Sequence, residues 1–194
     1  MSKDYHEALS LLEIDGMASA IAAQDFALKQ AAISVLACAP VSPGKVVLIF
    51  AGPIAEVEES TQIALDYIGS RLIDQLLLPG IHPGVLRVLD GHKNNRGDEA
   101  LAIVEFETIA STLLCADAAL KCTEVTLGRL HLASGFGGRG FFTLWGQQPD
   151  VEIAIEEIIA QSAGKLLDHE VIPAPHEELA KGAFTRPWAI DPCA

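Results

Sequence analysis

Apolar and polar positions follow two periods along this chain, and the switches between them mark out its elements. Ala8–Ile14 (ALSLLEI) is a strongly apolar run and predicts a strand. Met17–Ala31 is alanine-rich with apolar residues at helical spacing, which predicts a helix. Ile33–Ala39 predicts a second strand, and Val41-Ser42-Pro43-Gly44 a turn. Val46–Phe50 (VVLIF) predicts a buried strand. Ile54–Ile68 predicts a helix, with Pro53 near its start, Glu56, Glu58 and Glu59 in its early turns and Gly69 as its stop. A strand over Leu72–Leu78 and a short helix over Pro83–Leu89 complete the set. The order βαββαβ is that of the split βαβ, ferredoxin-like plan, an α/β (α+β) fold.

The same pattern then recurs. Residues 8–35 align with residues 100–127 at an offset of 92, with nine identities in 28 positions. Average composition would give about two. Among them are Glu13/Glu105, Asp25/Asp117 and Lys29/Lys121. The register then slips by two, pairing Gly44 with Gly138, Gly52 with Gly146, Pro79 with Pro173 and His82 with His176. The second copy predicts a strand over Phe141–Trp145, a helix over Val151–Ser162 and a strand over Lys165–Ile172. The chain therefore divides into a first module (residues 1–90), a polar Gly/Asn-rich linker (91–99), a second module (100–176) and a tail (177–194).

Composition sharpens this picture. Half of the 194 residues are hydrophobic and only 20% are charged. A chain this apolar must hide much of its surface, and self-association is the simplest way. Asp, Lys, Gly or Pro interrupts every apolar run, so none predicts a membrane span. The polar start MSKDYHE carries no signal-peptide core, which points to the cytoplasm. A net charge of −13 argues against nucleic acid as a partner, and no polybasic stretch suggests a membrane surface.

Motifs for catalysis are missing. GFGGRG (Gly135–Gly140) fits G-x-G-x-x-G but is followed by a strand, FFTLW, where a dinucleotide site needs a helix. It reads instead as a tight strand–strand connection with close backbone approach. None of the six histidines lies three to five residues from another His or a Cys, so no metal-ligand spacing appears. Cys38, Cys115, Cys122 and Cys193 form no C-x-x-C pair and read as small buried side chains in a reducing compartment. No G-x-S-x-G or Walker A is present, and no enzyme activity or cofactor is expected. Glu13 and Glu105 end equivalent strands, which favours a structural hydrogen-bonding role over acid–base work. Lys29 and Lys121 end equivalent helices, where a cation meets the negative end of the dipole.

These residues carry a family resemblance. ALSLLEIDGMASAIAAQDFALKQAAI, then V-S-P-G-K before an apolar strand, G-P-I-A-E-V and a P-x-x-H ending resemble bacterial microcompartment shell proteins, in both copies and up to His176. LIDQLLLPGIHPGVLRVL is similar to the tandem, single-layer type found in propanediol-utilisation compartments. The resemblance implies a structural shell protein: a flat homotrimer of pseudo-sixfold outline, with a central pore for metabolites. It would tile with hexameric and pentameric shell proteins and meet the enclosed enzymes. Lys29, Lys121, His82 and His176 would stand at tile edges. Val41, Ser42, Pro43 and Gly44, with Ser134, Gly135, Phe136, Gly137 and Gly138, would line the pore, Phe136 as a possible constriction. Some relatives hold an iron–sulfur cluster on a Cys in the first of these loops. This chain has Ser42 there, with Cys38 four residues earlier, so a metal-free pore is expected. The rival readings are an electron-transfer shell protein with a pore cluster and a ferredoxin-like sensor that binds a small ligand between subunits.

Overall fold

The computed structural model describes residues 7–92, 100–177 and Leu179. The first copy runs β1 (Ala8–Asp15), α1 (Met17–Gln30), β2 (Ser34–Val41), β3 (Lys45–Gly52), α2 (Ile54–Ile68), a 3-10 turn (Gly69–Arg71), β4 (Leu72–Pro79) and α3 (Pro83–Leu89). The second runs β5 (Ala100–Phe106), α4 (Ile109–Cys122), β6 (Thr126–Leu132), β7 (Gly140–Gly146), α5 (Gln148–Gln161) and β8 (Leu166–Ile172). Each copy builds a four-stranded antiparallel sheet, ordered β2-β3-β1-β4 and β6-β7-β5-β8. The two modules are thus the βαββαβ units that the residue pattern predicts.

The repeat extends to the irregularities. The ladder between β1 and β4 shifts register between Glu13 and Ile14, and that between β5 and β8 shifts between Glu105 and Phe106. At these bulges Glu13 stands opposite Asp74, and Glu105 opposite Asp168. The predicted start of the second copy's last helix moves back from Val151 to Gln148, because Pro149 supplies a preset first turn. The copy also reaches past His176. Leu179 N–H donates to His176 O at 2.8 Å, as Val85 N–H donates to His82 O at 3.0 Å in the first turn of α3. The opening of the tail therefore repeats α3, while Phe184 and Trp188 fall outside the described residues.

Alternation in β1 feeds two faces. Ala8, Leu12 and Ile14 join Val46, Leu48 and Phe50 of β3 beneath α1 and α2. Leu9 and Leu11, with Val47 and Ile49, turn the other way and enter one continuous core with α3 and the second copy. Helix α4 closes that second face of the first sheet.

Candidate functional site

The first loop named in the sequence reading, Ser42–Gly44, joins β2 to β3, with Val41 as the last residue of β2, opposite Lys45. The second, Ser134–Gly138, joins β6 to β7. The fold brings the two together. A Cβ on Gly138, whose φ is +85°, would sit 3.1 Å from both Pro43 Cδ and Ser42 O, and 3.2 Å from Lys45 Cε. Only glycine allows that backbone angle and that approach without strain. Ser42, Pro43 and Gly44 are exposed, as are Ser134, Gly135 and Gly137. Phe136 is half-buried and packs edge-on against the rings of His131 (6.0 Å) and Phe141 (5.6 Å).

Beneath the loops lies a buried ion pair. Lys45, at the base of the first loop, donates to Glu13 Oε2 at 2.8 Å. Glu13 is fully buried and Lys45 is 15% exposed. The other carboxylate oxygen, Oε1, accepts from Ile109 N–H at 2.9 Å and Ala110 N–H at 3.0 Å. These are the first amides of α4, which no acceptor inside the helix can serve. One carboxylate thus ties the loop base of the first copy to the positive end of a helix in the second. The structural role expected for Glu13 holds. Glu105 is half-exposed in its matching place.

Two further joints cross between the copies. Lys165 donates to Asp74 Oδ2 at 2.7 Å. Burial raises the Asp74 carboxyl, but Lys165, the Thr108 hydroxyl and the Gln75 N–H outweigh it and hold the group below its usual range. Thr108 also caps α4, its hydroxyl accepting from Ser111 N–H. At the other end of α4, Asp117 Oδ1 accepts from His82 N–H at 2.7 Å, while Lys121 pairs with Asp117 Oδ2. The structure therefore gathers two of the predicted edge residues, His82 and Lys121, at the seam inside the chain. His82 Nδ1 accepts from Gly84 N–H at 3.1 Å and so caps α3. Burial lowers the His82 pKa; Asp117 opposes this, and Lys121 and Arg87 add to it. Lys29 pairs with Asp25 on the exposed side of α1, and His176 lies at the far end of the second copy.

The cysteine expectation needs one correction. Cys115 is buried and Cys38 is partly so, but Cys122 is exposed because it ends α4 where the helix emerges from its cover. Cys193 lies outside the described residues. Among the described residues, no group of three or more His, Cys, Asp or Glu side chains is arranged to hold a metal. A cavity of about 150 Å³ lies between Val88, Gly91 and His92 on one side and Gly128, Arg129 and Leu130 on the other. It falls short of the ~300–1,000 Å³ of ordinary ligand pockets.

The seam has an open counterpart. Helices α1 and α4 occupy equivalent places and carry apolar residues at equivalent positions. Yet Met17 and Ile21 on α1 are 40% and 52% exposed, while their counterparts Ile109 and Leu113 on α4 are both 0% exposed. Leu28 is likewise exposed where Leu120 is buried. On the facing sheet, Leu11 is buried beneath α4, whereas its counterpart Ile103 is half-exposed. The first copy covers α4; among the described residues nothing covers the matching face of α1.

Sequence and structure comparisons agree with this geometry. The model of the BMC domain matches residues 8–81 and again residues 100–175. The bacterial microcompartment shell protein PduT of Citrobacter freundii is 34% identical over 176 residues, covering 89% of this chain and 95% of that one. A crystal structure of a microcompartment protein from Desulfitobacterium hafniense superposes with a TM-score of 0.83 at 33% identity, covering 91% of this chain and 99% of that one. A fused, permuted hexameric shell protein of the RMM microcompartment shares the fold, with a TM-score of 0.60 at 20% identity over 80% of this chain and 83% of its own.

Proposed function

The chain belongs to the BMC-domain family of bacterial microcompartment shell proteins, and from that premise we propose that three copies close into one flat tile around a central pore. Its role is structural, and it assembles with other components of the shell. The observation that carries the trimer is the mismatch between α1 and α4. The chain presents one covered seam between its modules and one uncovered pair of matching surfaces, α1 at one end and the face of β5 and β8 at the other. Such a heterologous pair makes a closed ring when the rotation between successive modules closes on itself, and an open filament when it does not. Six modules in three chains give the pseudo-sixfold outline expected from the family.

In that ring the loops Ser42–Gly44 and Ser134–Gly138 alternate around the axis and line the pore. Their touching contact at Gly138 supports this placement. The rim they offer is polar: Ser42 hydroxyls and loop backbone both donate and accept hydrogen bonds, which suits polar metabolites. Hydroxyls are poor ligands for iron–sulfur clusters, so the pore is metal-free. Hexameric and pentameric tiles meet its outer edges, where Lys29 stands with Asp25 and where Lys121, paired with Asp117 at the end of the seam, keeps 42% of its side chain exposed, and the enclosed enzymes meet one of its faces.

Sedimentation at micromolar concentration tests the reading. Three chains per particle is the expected result, and a stable monomer would sink it. Iron and sulfide in stoichiometric amount in anaerobically purified protein would overturn the metal-free pore in favour of electron transfer.

A further inference from the structure

The joints inside the chain specify the joints between chains. The charged contacts of the covered seam have repeat partners at the uncovered surfaces. Glu13 corresponds to Glu105, and the amino end of α4 to that of α1. Lys45 corresponds to Arg139, which like Glu105 is not buried in the single chain. Asp74 and Lys165 correspond to Asp168 and Arg71, by the matched bulges in the β1–β4 and β5–β8 ladders.

Resting on the trimer reading, we propose that Glu105 of one chain seats on the amino end of α1 of the next, with Arg139 as its counter-ion, and that Arg71 of that next chain pairs with Asp168. The occupant of the exposed α1 face is thus a second copy of this chain.

Observations on both surfaces fit. Helix α1 begins at Gly16, which has no side chain to cap it, where α4 has Thr108. The amides of Met17 and Ala18 occupy the positions of Ile109 and Ala110, so they lack intrahelical acceptors and suit an incoming carboxylate. Arg71 is anchored at the same helix, donating to Ser19 Oγ at 2.5 Å, and its guanidinium retains further donors for Asp168. On the other surface Glu105 is half-buried and Asp168 exposed, one carboxylate for the helix end and one for Arg71. The apolar residues Met17, Ile21 and Leu28 would then be covered as Ile109, Leu113 and Leu120 are.

Dilution sedimentation, with far-UV circular dichroism to verify the fold, tests the joint on wild type, Glu105→Ala, Arg71→Glu, Asp168→Lys and the Arg71→Glu/Asp168→Lys double variant. Losing charge-assisted hydrogen bonds at each of the between-chain seams should raise the concentration of half-dissociation by about tenfold or more in Glu105→Ala. Each single charge reversal should weaken the trimer, and the double reversal should restore it. Helical signal should persist throughout, since neither carboxylate is buried in the single chain. A wild-type trimer matched by an equally stable Glu105→Ala trimer overturns the proposal. So does a double reversal weaker than both singles, or a Glu105→Ala chain that unfolds. A monomeric wild type overturns the trimer reading itself.

Discussion

Removing the Glu13 carboxylate is the sharpest test of the seam inside the chain. Glu13→Ala deletes three hydrogen bonds: those from Ile109 N–H, Ala110 N–H and Lys45 Nζ. It leaves the first amides of α4 without their acceptor and strands the Lys45 ammonium, on a side chain only 15% exposed. Loss of a helix cap costs ~0.5–2 kcal/mol. Breaking a buried ion pair by removing one partner costs ~3–5 kcal/mol, because the remaining charge stays desolvated. These effects overlap, so Glu13→Ala should cost about 3–5 kcal/mol. Glu13→Gln keeps an oxygen for the two amides but turns an NH2 donor toward Lys45. It should cost about 2 kcal/mol, and adding Lys45→Met should recover about half of that by removing the stranded charge. The assay is urea denaturation at one fixed chain concentration, since association shifts apparent stability. Amide exchange at Ile109 and Ala110 locates the effect at the helix end. A Glu13→Ala cost below about 1 kcal/mol, or a double variant less stable than Glu13→Gln alone, would refute the reasoning.

Further outcomes follow from the same contacts. The Asp74 carboxyl is depressed by Lys165 and Thr108, so its contribution to stability is full above the ordinary aspartate value of 3.8 and is lost as pH falls through the lower folded value. Asp74→Asn should flatten that acid limb in thermal melts from pH 2 to pH 5, and an unchanged slope would dismiss the pair. Burial pushes the Cys115 thiol up to about 12, with Glu157 adding to the rise. Iodoacetamide at pH 8, followed by mass spectrometry, should therefore label Cys122 well before Cys115, and comparable labelling of Cys115 in the folded protein would contradict its burial. Replacing Lys29 and Lys121 with Ala should leave the trimer intact while weakening assembly into sheets seen by electron microscopy. Dissociation of the trimer instead would place Lys29 at a seam between chains, as Lys121 already lies at the seam within one.

The modules were legible because their signals are local. Apolar runs, helical spacing, Gly69 after α2 and the turn at Ser42-Pro43-Gly44 all act within a few residues. Repetition then confirmed the order, and the repeated Glu13 and Glu105 marked a structural carboxylate. Its acceptor role could not be read in detail, because Ile109 lies 96 residues away on the other copy. Arg71, Asp74 and Lys165 were missed as site residues. Their only signal was charge kept at aligned positions, Arg71 with Lys165 and Asp74 with Asp168. Exposure was harder still. Ile21 and Leu113 are interchangeable in pattern, and only the placement of the first copy over α4 separates them. Cys122 failed in the same way, since helical spacing aligns it with Cys115 without saying where the cover ends.

The two kinds of joint also differ in chemistry, in a direction that follows from tethering. Inside the chain the cations are Lys45 and Lys165. At the matching positions of the proposed joint between chains they are Arg139 and Arg71. A tethered seam keeps its two surfaces at high effective concentration, so a flexible point charge is enough to complete it. A joint between separate chains must overcome the entropy of association with its own contacts. A guanidinium, rigid and able to meet a carboxylate with two parallel donors, loses less freedom for each hydrogen bond formed. The loss of a cap acts in the same sense. Thr108 serves the Ser111 amide from within its own strand–helix turn, beside the two amides that Glu13 serves, while Gly16 offers α1 no such cap. A seam joined by the chain can thus rely on lysine and a local cap, while the proposed seam between chains has arginine and an open helix end for the neighbouring copy to fill.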